Sequence, residues 1–184
     1  MKAIVLALVF SVFSSCTSVY SVRVAYDRYA IVQDSANIGS GVRCGNGMIL
    51  TATHLVTDSM SVTTPEREFR ATSVRISDDV TLLYGDSRVD TTEYGDVQLG
   101  QEVFWIQPRF EEGGGAFLTF GHVSFISDSS FFLDRPVMFG VSGSGVWTYN
   151  GALVGIVQSI VPIHQYPMYA RATRLSVYQK GGVL

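Results

Sequence analysis

Apolar and polar residues along this chain fall into short runs of strand length, many of them alternating. The runs are "YAIVQ" (29–33), "GMILTA" (47–52), "MSVTT" (60–64), "REFRATSVRIS" (67–77), "VTLLYG" (80–85), "EVFWIQ" (102–107), "AFLTFGHVSFIS" (116–127), "SFFL" (130–133), "GVWTY" (145–149), "ALVGIVQSI" (152–160) and "PMYARAT" (167–173). They are rich in Val, Ile, Phe, Tyr and Thr, and Gly, Asp and Asn turns separate them, as expected of β-strands. Asn150-Gly151, between two apolar runs, is a strong hairpin signal. Only the last stretch, 171–184, has the pattern of a modest helix. So many short strands predict an all-β fold, a barrel or a sandwich. Residues 85–101, "GDSRVDTTEYGDVQLGQ", are polar and turn-rich. They read as a seam between two strand groups of nearly equal size, or else as a long surface loop within one barrel; the equality of the halves favours the seam.

The N-terminus departs from this pattern. Lys2 precedes "AIVLALVFSVF", eleven uncharged and mostly apolar residues, and then the small residues of "SSCTS". Spanning a bilayer takes about 20 such residues, so the stretch suits the apolar region of a signal peptide over 1–21 and predicts export, to the periplasm and cell envelope or to the medium. Two cleavage sites compete. "FSSC" is similar to a bacterial lipobox, which would leave a lipidated Cys16 as the first residue and the only membrane attachment. Ordinary cleavage after Ser18 or Ser21 is the rival. Either way Cys44 is left alone, so no internal disulfide is expected, and it reads as a small buried hydrophobe.

Composition narrows the function classes. The formal charge is −3, and no Lys/Arg cluster offers a surface that tracks phosphates, which argues against nucleic acid as a partner. No His/Asp/Glu group has metal-ligand spacing, so neither metal nor cofactor is implied.

The stretch "GVSGSGVW" (140–147) places Ser142 and Ser144 among glycines immediately before an apolar run. A serine hydroxyl becomes a nucleophile when a base lies within hydrogen-bond reach, an acid orients the base, and N–H groups face the developing oxyanion. Of the three histidines, His54 ends the apolar run "GMILTATH", where a fixed scaffold meets open surface. His122 lies mid-strand between aromatics and reads as structural; His164 lies in a Pro-flanked loop that could line a pocket. Among acids, Asp79 directly precedes "VTLLY" and can turn inward while Asp78 stays in solvent. Its burial would call for a hydrogen-bonding partner such as a histidine N–H.

Three segments together resemble the trypsin-like, chymotrypsin-fold serine peptidases, and most nearly the bacterial HtrA-type and small secreted members. "GSGVRCGNGMILTATHLV" (39–56) is similar to their segment around the catalytic histidine, "DDVTLL" (78–83) to the one around the aspartate, and "GVSGSGVWTYNGALVGI" (140–156) to the one around the serine. The resemblance implies two six-stranded antiparallel β-barrels, over 22–92 and 93–184, with the active site in the cleft between them. It implies that Ser142 attacks the substrate carbonyl, that His54 takes and returns the proton, and that Asp79 orients His54. The N–H groups of Gly140 and Ser142 would form the oxyanion hole. The implied activity is that of an exported serine endopeptidase acting on protein or peptide substrates through an acyl-enzyme. A trypsin-fold binding module without catalysis is the alternative.

Several positions depart from the family. Val141 cannot pair with a new N-terminal ammonium, and Leu55 follows His54 where animal enzymes often carry a cysteine. Too few residues follow Ile156 for a PDZ module. Six residues before Ser142, where the acid that selects basic substrates would stand, the chain has Pro136. Gln158, Ser159 and Ile160 are expected along the pocket wall, and Ile160 implies a narrow site for small apolar side chains.

Overall fold

The computed structural model describes residues 19–57, 60–85, 89–108, 115–161, 169–182 and 184. The described chain opens on a helix, α1, through 19–27. Six strands follow: β1 (Tyr29–Gln33), β2 (Ile38–Gly45), β3 (Met48–Ala52), β4 (Met60–Thr63), β5 (Glu68–Arg75) and β6 (Val80–Tyr84). Six more come after the 85–101 stretch: β7 (Glu102–Pro108), β8 (Ala116–Ile126), β9 (Ser130–Leu133), β10 (Gly145–Thr148), β11 (Leu153–Val161) and β12 (Tyr169–Arg174), and then a short helix α2 (Ser176–Lys180).

The strands close into two antiparallel barrels, ordered β1-β2-β3-β6-β5-β4 and β7-β8-β9-β12-β11-β10 around each ring. The same order is therefore used twice, and closure leaves neither sheet an open edge to pair elsewhere. This all-β, two-barrel architecture is the one the motifs implied.

Alternate residues of the central strands feed different cores, which explains why their sequences are almost continuously apolar. Ile49 and Leu83 point into the first barrel beside Val32 and Val62. Their neighbours Leu50 and Leu82 point the other way and meet Phe104, Ile106, Trp147, Leu153 and Ile156 from the second barrel. Within that second barrel, Val103, Trp105, Val154 and Val157 pack on Phe131 and Leu133. The middle core fixes how the barrels face each other, and each large side chain buried there contributes about 1.5–3 kcal/mol.

Two elements were not expected from the pattern. Strand β2 is "IGSGVRCG", without apolar alternation. Its Gly39 is required by close approach, since a Cβ there would lie 2.9 Å from the Ser142 carbonyl oxygen, against Leu55. Helix α1 is the other. Ala25 packs into the middle core, and the buried Ser21 donates its hydroxyl to the Tyr149 carbonyl at 2.7 Å. The rest of the expected signal segment, 1–18, lies outside the described residues. Cys44 is buried and free, its Sγ directed at the Val42 carbonyl, and burial pushes its thiol up to about 11. The native protein at pH 8 is therefore expected to leave Cys44 unmodified by iodoacetamide, and the denatured protein to alkylate it, as read by peptide mass.

Candidate active site

Strands β3 and β6 are antiparallel neighbours with Ala52 opposite Val80. His54 follows β3 by two residues and Asp79 precedes β6 by one, so the pairing brings both to the same end of the first barrel. The local backbone ties them closer. His54 sits in a single 3-10 turn, Thr53–Leu55. Thr53 donates its N–H to the Asp79 carbonyl at 3.0 Å and its hydroxyl to the Ser77 carbonyl. The Ser77 hydroxyl in turn accepts from the N–H groups of Asp79 and Val80 and from the Tyr178 hydroxyl of α2.

Ser142 arrives from the other barrel, on the loop before β10. Its bridge to the first barrel is Ser40 of β2, which donates its N–H to the Ser142 carbonyl at 2.7 Å and its hydroxyl to the Gly140 carbonyl at 2.7 Å. Thr51, on β3, donates its hydroxyl to the Ser40 carbonyl. One short chain of bonds thus connects the His54-bearing strand to the Ser142 loop. Ser40 was not among the expected site residues. Its signal was the "GSG" triplet in a segment whose glycines only close backbone approach explains.

The loop answers which serine faces out. Val141 is buried in the second barrel core, and Ser144, with no exposed surface, donates to the Ile106 carbonyl. Ser142, between them, keeps part of its surface in solvent. The N–H groups of Val141, Gly143 and Ser144 bond to the Met138, Val157 and Val141 carbonyls. Those of Gly140 and Ser142, among the described residues, have no intramolecular acceptor. Two neighbouring backbone donors left open beside a partly exposed hydroxyl can receive a ligand oxygen.

The side chains are only partly assembled. Ser142 donates its hydroxyl to the Gln158 carbonyl at 3.1 Å. Asp79 accepts from Arg171 of β12, Nη2 to Oδ1, at 2.8 Å. Among the described residues, no hydrogen bond links His54 to Asp79 or to Ser142. The imidazole of His54 and the carboxylate of Asp79 still interact through charge. Burial pushes the His54 pKa below its ordinary 6.5, and the Asp79 charge opposes that shift.

The other expected residues scatter. Pro136 is exposed, two residues ahead of Met138, whose N–H is held by Gln107 Oε1 at 2.8 Å. Gln158 is buried at a bulge in β11 and meets Ser142 through its backbone carbonyl, with its amide turned to the Ile156 carbonyl. Ser159 and Ile160 pair with Arg171 and Ala170 in the backbone ladder, while their side chains lie outside the described part, as does all of His164. His122 is bound by Asp134 on β8's outer side, Nδ1 to Oδ2 3.0 Å, apart from the candidate triad. No group of three or more metal-ligating side chains occurs among the described residues. A cavity of about 580 Å³ is lined by α1, Arg43, Glu66 and the 89–93 connection and includes none of the candidate residues.

Solved structures with the same fold include an inactive mutant form of Rv3671c from M. tuberculosis, with 16% identity, 89% of each chain covered and a TM-score of 0.73. A serine endoprotease from Yersinia pestis aligns over 89% of this chain and 64% of its own, at 22% identity and a TM-score of 0.76. The HtrA-type protease AlgW, solved with a tripeptide, aligns over 89% of this chain and 61% of its own, at 20% identity and a TM-score of 0.73. The chain thus spans less than two thirds of the latter two. No curated protein matches it in sequence. The family model for the trypsin-like peptidase domain matches residues 39–156, more than half of the sequence and all three candidate segments, and the chain belongs to that family.

Proposed function

We propose that this protein is an exported serine endopeptidase that uses Ser142, His54 and Asp79. The observation that carries the reading is the pair of N–H donors at Gly140 and Ser142, without an acceptor among the described residues, next to a partly exposed hydroxyl and interleaved with the engaged N–H groups of Val141, Gly143 and Ser144. Turning about its side-chain bond takes the Ser142 hydroxyl from the Gln158 carbonyl toward His54, a motion open to a surface serine within nanoseconds. His54 then takes the proton as Ser142 attacks the scissile carbonyl, and the imidazolium returns it to the leaving amine. Water repeats the sequence on the acyl-enzyme. Catalytic hydrogen bonds are often long before substrate binds, so a resting His54 with no hydrogen-bond partner among the described residues is compatible with this chemistry.

The competing reading, a binding module, draws support from the same two contacts, since both Asp79 and Ser142 are engaged elsewhere. A fluorophosphonate separates the two. The enzyme is expected to form an adduct that peptide mapping locates on Ser142; an unlabelled, folded protein would favour the module.

The acid limb carries a second test. His54 serves as base only when neutral, and burial favours its neutral form. The midpoint of the acid limb of kcat/KM against pH is therefore expected below 6.5, and a midpoint above it would contradict the assignment. For export, the buried Ser21 and its bond to Tyr149 support cleavage upstream of it, before Cys16 or after Ser18. Intact mass of the mature protein distinguishes these, because acylation of Cys16 adds a large apolar mass.

A further inference from the structure

We propose that Arg171 is a positioning residue that holds the Asp79 carboxylate in competition with His54 and so restrains acyl transfer at the Ser142 centre. The inference rests on the serine-peptidase reading above. Arg171 lies on β12, opposite Ser159 of β11 and Phe132 of β9. Its Nη2 meets Asp79 Oδ1 at 2.8 Å across the barrel interface, with both side chains about a third exposed. The adjacent strand β11 holds Ser142 through the Gln158 carbonyl. Neighbouring strands of one barrel thus grip two members of the candidate triad, and the third, His54, is left without either.

Charge gives the contact its direction. The attack step converts His54 to an imidazolium, and the carboxylate behind it stabilises that developing charge. A guanidinium bound to the same carboxylate cancels part of its field at His54 and occupies lone pairs the imidazole N–H would use. The other charged and titratable groups near this end of the barrel do not share the role. Asp78 pairs outward with Arg75 at 2.9 Å, and Tyr178 bonds to Ser77. Asp79 is the one whose charge acts on His54.

The test is Arg171→Gln in the full chain, with Arg171→Met as a second neutral variant that keeps the aliphatic stem should the first fail to fold. Melting temperature, fluorophosphonate labelling rate and kcat/KM for a peptide substrate are measured against pH. Release of the carboxylate is expected to raise kcat/KM by up to about fivefold, in kcat rather than KM, the ceiling a partly exposed ion pair sets. The acid limb is expected to move to higher pH by roughly half a unit, because an unshielded Asp79 favours imidazolium. Arg171→Lys should return the limb toward its original position. In the Asp79→Asn background the gain should vanish, which a merely structural arginine would not produce. A neutral variant that folds, labels and turns over more slowly, or with an unmoved acid limb, overturns the proposal and leaves the peptidase reading intact. Absence of labelling in every folded variant, the unsubstituted protein included, removes both.

Discussion

Replacing Ser142 by alanine is expected to lower kcat/KM by about 10⁴-fold or more and to abolish fluorophosphonate labelling, while the fold survives. Among the described residues the hydroxyl makes a single bond, to the Gln158 carbonyl, from a partly exposed position, so its loss is expected to change stability by about 1 kcal/mol or less. Ser144→Ala should behave in the opposite way. That side chain has no exposed surface and donates to the Ile106 carbonyl within the second barrel. Its removal leaves a buried acceptor short of a donor and a small void, at a cost of about 1–3 kcal/mol in denaturant melts, with labelling retained. These outcomes would separate two serines two residues apart into a chemical role and a packing role. Loss of labelling in Ser144→Ala with full labelling in Ser142→Ala would reverse the assignment.

The exchange between these serines illustrates what the linear pattern could and could not convey. The strands were legible wherever alternation between two cores made the sequence apolar on both faces, as in "VTLLY" and "EVFWIQ". That His54 and Asp79 lie at one end of the first barrel was legible because each abuts such a strand, and antiparallel pairing brings those strand ends together. Strand β2 was not, because its composition answers to the neighbouring loop rather than to a core. Gly39 is small for the Ser142 carbonyl, and Ser40 is polar for the Gly140 and Ser142 carbonyls. Helix α1 was hidden because its sequence continues straight on from an apolar leader-like segment. Arg171 was invisible for a different reason. Its partner Asp79 is 92 positions away, and nothing in "YARAT" marks an arginine that reaches across a barrel interface. Contacts of that kind belong to the way two independently closed sheets dock, which local patterns do not encode.

Docking also explains the other large expected effect, that of Gly143→Ala. Gly143 has φ +88°, and a Cβ there would overlap the Ser40 carbonyl oxygen and lie 2.5 Å from Thr51 Oγ1. Neither neighbour can withdraw cheaply. The Ser40 carbonyl accepts the Thr51 hydroxyl, and Gly143 itself donates its N–H to the Val157 carbonyl, which fixes the loop from the other side. The substitution therefore combines left-handed strain with a backbone clash, and a loss of about 3 kcal/mol or more is expected. For a chain of this size that corresponds to a melting temperature lower by about 10 °C. Gly100→Ala supplies the control, because its φ is +77° but nothing lies within 4 Å of the added Cβ. It should show the conformational strain alone, about 1–2 kcal/mol. The excess of the first over the second measures how tightly β2 is pressed on the serine loop. A folded fraction of Gly143→Ala should also label slowly, since moving the loop off Ser40 displaces the Gly140 and Ser142 N–H groups together. Equal melting shifts in the two variants would mean that the loop can stand away from β2, and that the Ser40 contacts do not fix the position of the Ser142 loop.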